Sequence, residues 1–213
     1  MDESGISLLP VTRRTWSPKG TTPILRHRCN WKRASMAAAL GYHARDADRG
    51  PRLCFHVQQD SYNTQTLIGV LEQLAGFYAG QQVVLLWDGL GAHWSHDMHA
   101  WLATQRHWLQ VERLPAYAPE LNPVESLWSN LKGVELANFA GDTVNEVADA
   151  TEQGVRRVCD DQQLVWSFLA HTGLTLDHQP PPNLRKPQIR PSPPMSPAAT
   201  PAPTRSAGSA VRG

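Results

Sequence analysis

The chain has 213 residues, with 20 Lys and Arg against 19 Asp and Glu and a formal net charge of +1. That length is enough for one domain with a buried core and a tail. No apolar run approaches the roughly 20 residues that span a bilayer and no signal peptide opens the chain, which argues against a membrane partner. Cys29, Cys54 and Cys159 are odd in number and form no Cys-x-x-Cys pair. They suggest neither a disulfide framework nor a zinc ribbon, and a reducing cytoplasm is the simplest setting.

In chain order, Asp2-Glu3-Ser4-Gly5 opens with an acid that by itself has no meaning. A basic stretch follows: residues 11–52 carry ten Lys or Arg against two Asp, whereas 53–177 carry five against fifteen acids. A basic third beside an acidic remainder suits a phosphate-contacting face next to a metal site. Arg13, Arg14, Lys19, Arg26, Arg28, Lys32 and Arg33 are the candidates, although each taken singly reads more readily as a solvated charge. Strand-type runs are expected near Lys32–Gly41 and Arg52–Gln58, then a helix around Asn63–Tyr78 with Leu67, Val70, Leu71 and Leu74 on one stripe.

Gln82–Asp88 is a short unbroken apolar run ending in a carboxylate, the pattern of a strand covered on both faces. Asp88 therefore stands at a strand exit, a position that serves equally for a site residue or for ordinary turn chemistry. Gly89–Ser95 is turn-rich, and Ser95 is a cap for a helix carrying Met98, Trp101 and Leu102. His93, His96 and His99 repeat every three residues, but no paired ligand motif supports a zinc reading. A strand is expected around Trp108–Leu114.

The segment from Leu114 to Lys132 is the most informative. Asn122 is a strong N-cap, Pro123 suits the first helical position, and Glu125 falls at the third. Val124, Leu127, Trp128, Leu131 and Val134 make an apolar stripe. Glu125 then has two readings: it closes a capping box with Asn122, or, lacking a basic i+3 or i+4 neighbour, it serves a partner elsewhere. Val144–Leu169 reads as one or two further helices with Val147, Val155, Val158, Val165 and Phe168 toward the core. Residues 178–213 hold ten prolines, five basic residues and no acids, a composition expected to be a disordered cationic tail.

Asp-Glu-Ser-Gly, Trp16-Ser-Pro-Lys-Gly20, the strand ending in Asp88 with Gly91-Ala-His93-Trp-Ser95 behind it, and Leu114-Pro-Ala-Tyr-Ala-Pro-Glu-Leu-Asn-Pro-Val-Glu-Ser-Leu-Trp128 together resemble the catalytic domain of mariner-like bacterial insertion-sequence transposases, a DDE superfamily endonuclease pattern. The resemblance runs in order over about residues 1 to 140. By direct count 36 residues separate Asp88 from Glu125, close to the spacing such enzymes use. One departure is Gly89, where the family often has Asn.

The resemblance implies an α/β, ribonuclease-H-like mixed sheet flanked by helices, whose first strand would lie mostly before Met1. It implies a catalytic domain over 1–140, a C-terminal helical segment over 141–177 and the tail over 178–213. Asp2, Asp88 and Glu125 become the metal-binding catalytic triad for two Mg²⁺ or Mn²⁺ ions, hard cations that suit carboxylate oxygens. Arg13, Arg14, Lys19, Lys32, Arg33, His93 and Lys132 become DNA-contact candidates. The expected partners are double-stranded DNA at transposon ends and target, a second copy of the chain that pairs two ends, and a separately encoded helix-turn-helix part; the expected location is the nucleoid-associated cytoplasm. The resembled activity is metal-dependent strand cleavage and strand transfer in DNA transposition. The alternative is a truncated, catalytically inactive remnant with a residual DNA-binding or interaction role, and little or no transposition is expected of the chain alone. The genomic sequence upstream of Met1 discriminates between the two.

Overall fold

The computed structural model describes residues 1–27 and 32–176. Arg28, Cys29 and the 178–213 tail, all singled out in the sequence, lie outside the described residues.

Three strands form an antiparallel meander in the order β1 (Asp2–Ser7), β2 (Arg33–Gly41) and β3 (Arg52–Gln58). The register sets Asp2 opposite Ala38 and Ser7 opposite Arg33, and β2 continues with Ala39, Leu40 and Gly41 opposite Cys54, Leu53 and Arg52 of β3. The first strand thus begins at Asp2 itself. β2 is buried on both faces: Ala34, Met36 and Ala38 face one core, Ala37 and Ala39 the other. A run of small side chains here lets a helical layer approach each face closely, which is why no polar alternation marks it in sequence.

Helix α1 (Thr64–Phe77) starts at Asn63, whose side chain accepts from Thr66 N–H while the Thr66 hydroxyl accepts from Asn63 N–H. It buries Leu67, Val70, Leu71 and Leu74. Strand β4 (Val83–Trp87), helix α2 (His96–Thr104) and strand β5 (Leu109–Arg113) follow, and β4 and β5 pair in parallel. Parallel and antiparallel pairing therefore both occur, but in two hydrogen-bonded sets; the Met1 amino group donates to Leu86 O at 2.9 Å and ties β1 to β4.

The structure corrects the expectation for Gln82–Asp88, which is not covered on both faces. Leu85 and Trp87 are buried against α1 and α2, whereas Val84 and Leu86 are exposed by 62% and 42%. Helices α3 (Pro123–Val134), α4 (Val144–Asp160) and α5 (Gln162–His171) pack with the three-stranded sheet and so cover that sheet instead. Local hydrophobicity cannot say which neighbour shields a given face.

The second core holds Ile6, Leu8, Met36, Val124, Leu127, Trp128, Leu131, Val147, Val158, Val165 and Phe168. Val134, placed on the α3 stripe by periodicity, is the helix's last residue and is 55% exposed. The Arg157 side chain clasps the end of α3, with Nε donating to Glu135 Oε1 at 2.5 Å and an Nη donating to Asn130 Oδ1 at 2.6 Å. Among the described residues no helix is long and apolar enough to cross a membrane.

Candidate active site

Strand alternation sends Asp2 and Glu3 to opposite faces of β1. Asp2 lies on the α3 side, 8% exposed, where Trp128 Nε1 donates to its Oδ2 at 2.7 Å. Burial pushes the Asp2 carboxyl up to about 6; the Trp128 hydrogen bond opposes this, and Glu125 and Glu3 push it further upward. Asp2 and Glu125 are therefore close enough to repel. Asp2 Oδ1 has no hydrogen bond among the described residues.

Glu125 sits at the third position of α3. The capping-box reading fails: Asn122 Oδ1 accepts from Val124 N–H at 3.2 Å, while the Asn122 N–H donates to Pro119 O at 2.9 Å, so the Glu125 carboxylate does not reach back to it. The side chain is exposed and has no hydrogen bond or ion pair among the described residues. Upstream of this helix start, Tyr117 has φ 57° with its ring fully exposed.

Asp88 follows β4. Its Oδ1 accepts from Leu90 N–H at 3.1 Å, which is the expected turn chemistry, and lies 2.6 Å from His93 Nδ1 in an ion-pair contact that falls off the line of a well-formed hydrogen bond. Its backbone carbonyl accepts from Trp94 Nε1 at 2.7 Å. Oδ2 has no protein donor among the described residues. The exposed Arg113 guanidinium lies beside Gly89 and 5.5 Å over the Trp94 ring.

His93, a DNA-contact candidate in the sequence, has protein on every side. It is fully buried in the 3₁₀ turn Gly91–Trp94. Its ring stacks on Trp87 at 3.8 Å between centroids, and its Nε2 lies 2.8 Å from Glu3 Oε2. His96 is exposed beside Asp97, and His99 Nδ1 meets Ser95 O at 3.0 Å, so the three histidines point to different surroundings.

The basic candidates are spread out. Arg13, Arg14, Lys19 and Arg26 are exposed on the segment between β1 and β2. Lys32 and Arg33 border a cleft that also holds Asp60 and Asp142. Arg33 pairs with Ser7, five ladder steps from the Ala38–Asp2 pair. At ~3.4 Å per residue this puts it about 17 Å from Asp2 along the strand. Lys132 is nearer, on the Glu125 face of α3, with Nζ donating to Ser4 Oγ at 2.7 Å.

As the side chains stand, no group of three His, Cys, Asp or Glu among the described residues is close enough to hold a metal ion. The donor chemistry nevertheless fits a hard divalent cation, because each of the three acids keeps an oxygen that no protein donor occupies. Sequence reasoning missed Glu3 and the polar role of Trp128. The alternation of β1 was the available signal for Glu3; for Trp128 its place on an apolar stripe concealed the indole N–H.

Asp2 sets a pH dependence. A carboxyl whose folded value is raised binds protons more tightly folded than unfolded, so the stability of the metal-free protein falls as pH rises from about 4 to about 6 and stays lowered above that. A value near 6 against an ordinary 3.8 corresponds to about 3 kcal/mol. Asp2→Asn is expected to stabilise the metal-free protein by about 2 kcal/mol at pH 7.5 and to flatten this slope. Urea unfolding at pH 4.5 and 7.5 measures both.

The described residues form a small α/β domain with helices on both faces of its meander, with Asp2 on β1, Asp88 after β4 and Glu125 in the first turn of α3. The DDE superfamily endonuclease profile matches residues 1–143, and the chain belongs to that family. No curated protein matches it significantly. Its fold is ribonuclease-H-like and similar to solved mariner transposase complexes. These include the Mos1 strand transfer complex (17% identity, TM-score 0.53, covering 80% of this chain and 49% of that one) and the mariner Mos1 paired end complex with Mg (17%, 0.54, 80% and 52%). The chain spans about half the length of the transposases it matches.

Proposed function

We propose that the chain is the catalytic domain of a transposase that cleaves DNA at transposon ends and transfers the cut strand, with Asp2, Asp88 and Glu125 as ligands of two divalent cations. The observation that carries this reading is the endonuclease family match over residues 1–143, within which Trp128 of α3, the helix that bears Glu125, holds the buried Asp2 of β1 through Oδ2 at 2.7 Å. Two carboxylates that repel across elements distant in sequence raise the free energy of the metal-free site, and a cation relieves that repulsion. The solved paired end complexes of the mariner transposase with Mg and with Mn support the choice of cation.

When bound, the cations would supply a nucleophilic oxygen, stabilise the leaving oxygen and offset phosphate charge. The chain's own residues supply the rest. Asp2 offers Oδ1 while Trp128 fixes Oδ2, Asp88 offers Oδ2 while Leu90 N–H fixes Oδ1, and Glu125 projects from a rigid first helical turn. The test is nicking of supercoiled DNA by the purified chain with Mg²⁺ or Mn²⁺. Metal-dependent nicking abolished by chelation supports the proposal; DNA binding with no nicking under either metal favours the inactive remnant.

The exposed cations of the β1–β2 segment would hold flanking DNA. Arg13→Ala with Arg14→Ala is expected to weaken binding evenly across sequences and to lower the slope of log affinity against log salt by about 1 for each phosphate no longer neutralised. Fluorescence anisotropy across a salt series reads this directly.

A further inference from the structure

Behind one member of the triad, Asp88, lie His93 and then Glu3. His93 is completely buried, stacked on Trp87, with a carboxylate oxygen beside each ring nitrogen: Glu3 Oε2 at 2.8 Å from Nε2 and Asp88 Oδ1 at 2.6 Å from Nδ1. Glu3 is itself fixed, since its other oxygen accepts from Trp87 Nε1 at 3.3 Å. The imidazole therefore cannot swing out without losing both its stacking partner and its contact with Glu3. Its Nδ1 packs against Asp88 Oδ1, the oxygen that accepts from Leu90 N–H, and Oδ2 is left as the oxygen with no protein donor among the described residues.

We infer that Glu3 and His93 are positioning residues for Asp88: Glu3 orients the imidazole, and the imidazole fixes which carboxylate oxygen Asp88 presents to a divalent cation. This rests on Asp88 being a cation ligand. It explains why an acid on the opposite face of β1 from Asp2 is half of a buried contact across 90 residues of chain. Groups that orient a ligand from behind contribute about 10- to 100-fold in metal affinity.

The test is Mn²⁺ binding to the purified 213-residue chain by calorimetry, with folding followed by circular dichroism. Asp88→Asn must weaken binding; if it does not, or if the wild-type chain takes up no Mn²⁺, the ligand assignment falls and this inference with it. Given that loss, Glu3→Ala is expected to weaken Mn²⁺ binding about 10-fold or more. Glu3→Gln, which keeps the length and a hydrogen-bonding oxygen beside Nε2, is expected to recover most of the affinity. Glu3→Asp, which keeps the charge but withdraws the acceptor by one methylene, is expected to remain weak, and it carries the test if Glu3→Ala does not fold. Wild-type affinity in both Glu3→Ala and Glu3→Asp overturns the inference and leaves the triad intact. So does Glu3→Asp binding better than Glu3→Gln, which would mean that Glu3 acts through its charge rather than through the orientation of His93.

Discussion

Mg²⁺-dependent strand cleavage is expected to fall by about a thousand-fold or more when either Asp88 or Glu125 is replaced by alanine, in a protein that carries this domain together with its DNA-end reader, while end binding stays largely intact. The two acids come from different elements, one after β4 and one in the first turn of α3, and each offers an oxygen that no protein donor takes. Losing one leaves the phosphate without the charge arrangement that an in-line displacement requires, and the loss is not additive with a second. Neither side chain is part of a core: the Asp88 side chain is 46% exposed and Glu125 is exposed, so stability should change by less than about 1 kcal/mol. Cleavage and gel-shift assays on the same end duplex separate the two effects. Unchanged cleavage in either variant removes that residue from the site.

Trp128 carries the largest expected effect on stability. It is 3% exposed in the core between α3 and the meander, meets Phe55 at 6.5 Å between ring centroids, and donates to Asp2. Trp128→Ala is expected to cost about 3 to 5 kcal/mol, a large share of the roughly 5 to 15 kcal/mol typical of a folded domain. Trp128→Phe separates packing from polarity. It keeps most of the ring but deprives a buried carboxylate of its donor, which should cost about 1.5 to 3 kcal/mol at pH 7.5. The sign with pH follows from Asp2. The indole N–H favours the ionised carboxylate, so removing it raises the Asp2 value further above 6, and the penalty shrinks as Asp2 becomes protonated toward pH 4.5. An equal penalty at both pH values would show that the hydrogen bond contributes nothing.

Much of the secondary structure is legible in the residues. Asn63 caps α1, Ser95 caps α2 through Met98 N–H, and Asn122-Pro123 starts α3, because short polar side chains satisfy the open amides of a first helical turn wherever the chain places them. Strands β2 and β3 and the helices over residues 144–171 follow from local pattern in the same way, whereas β1 was implied only by the family resemblance. Faces were less legible. Val84, Leu86 and Val134 are apolar by pattern and exposed in fact, since burial depends on which element lies across from them.

The candidate site divides along the same line. The amino-acid sequence by itself determined that an acid ends one strand and another enters a helix start, because turn and capping preferences act over a few residues and need no partner. Only the tertiary structure decided that Glu125 is free of its cap, that Trp128 is a donor to Asp2, and that His93 is buried between Glu3 and Asp88. The Glu3–His93 and Asp2–Trp128 pairs join residues 90 and 126 positions apart. They depend on strand register and on which face each side chain leaves, quantities that exist only once β1, β4 and α3 have packed together.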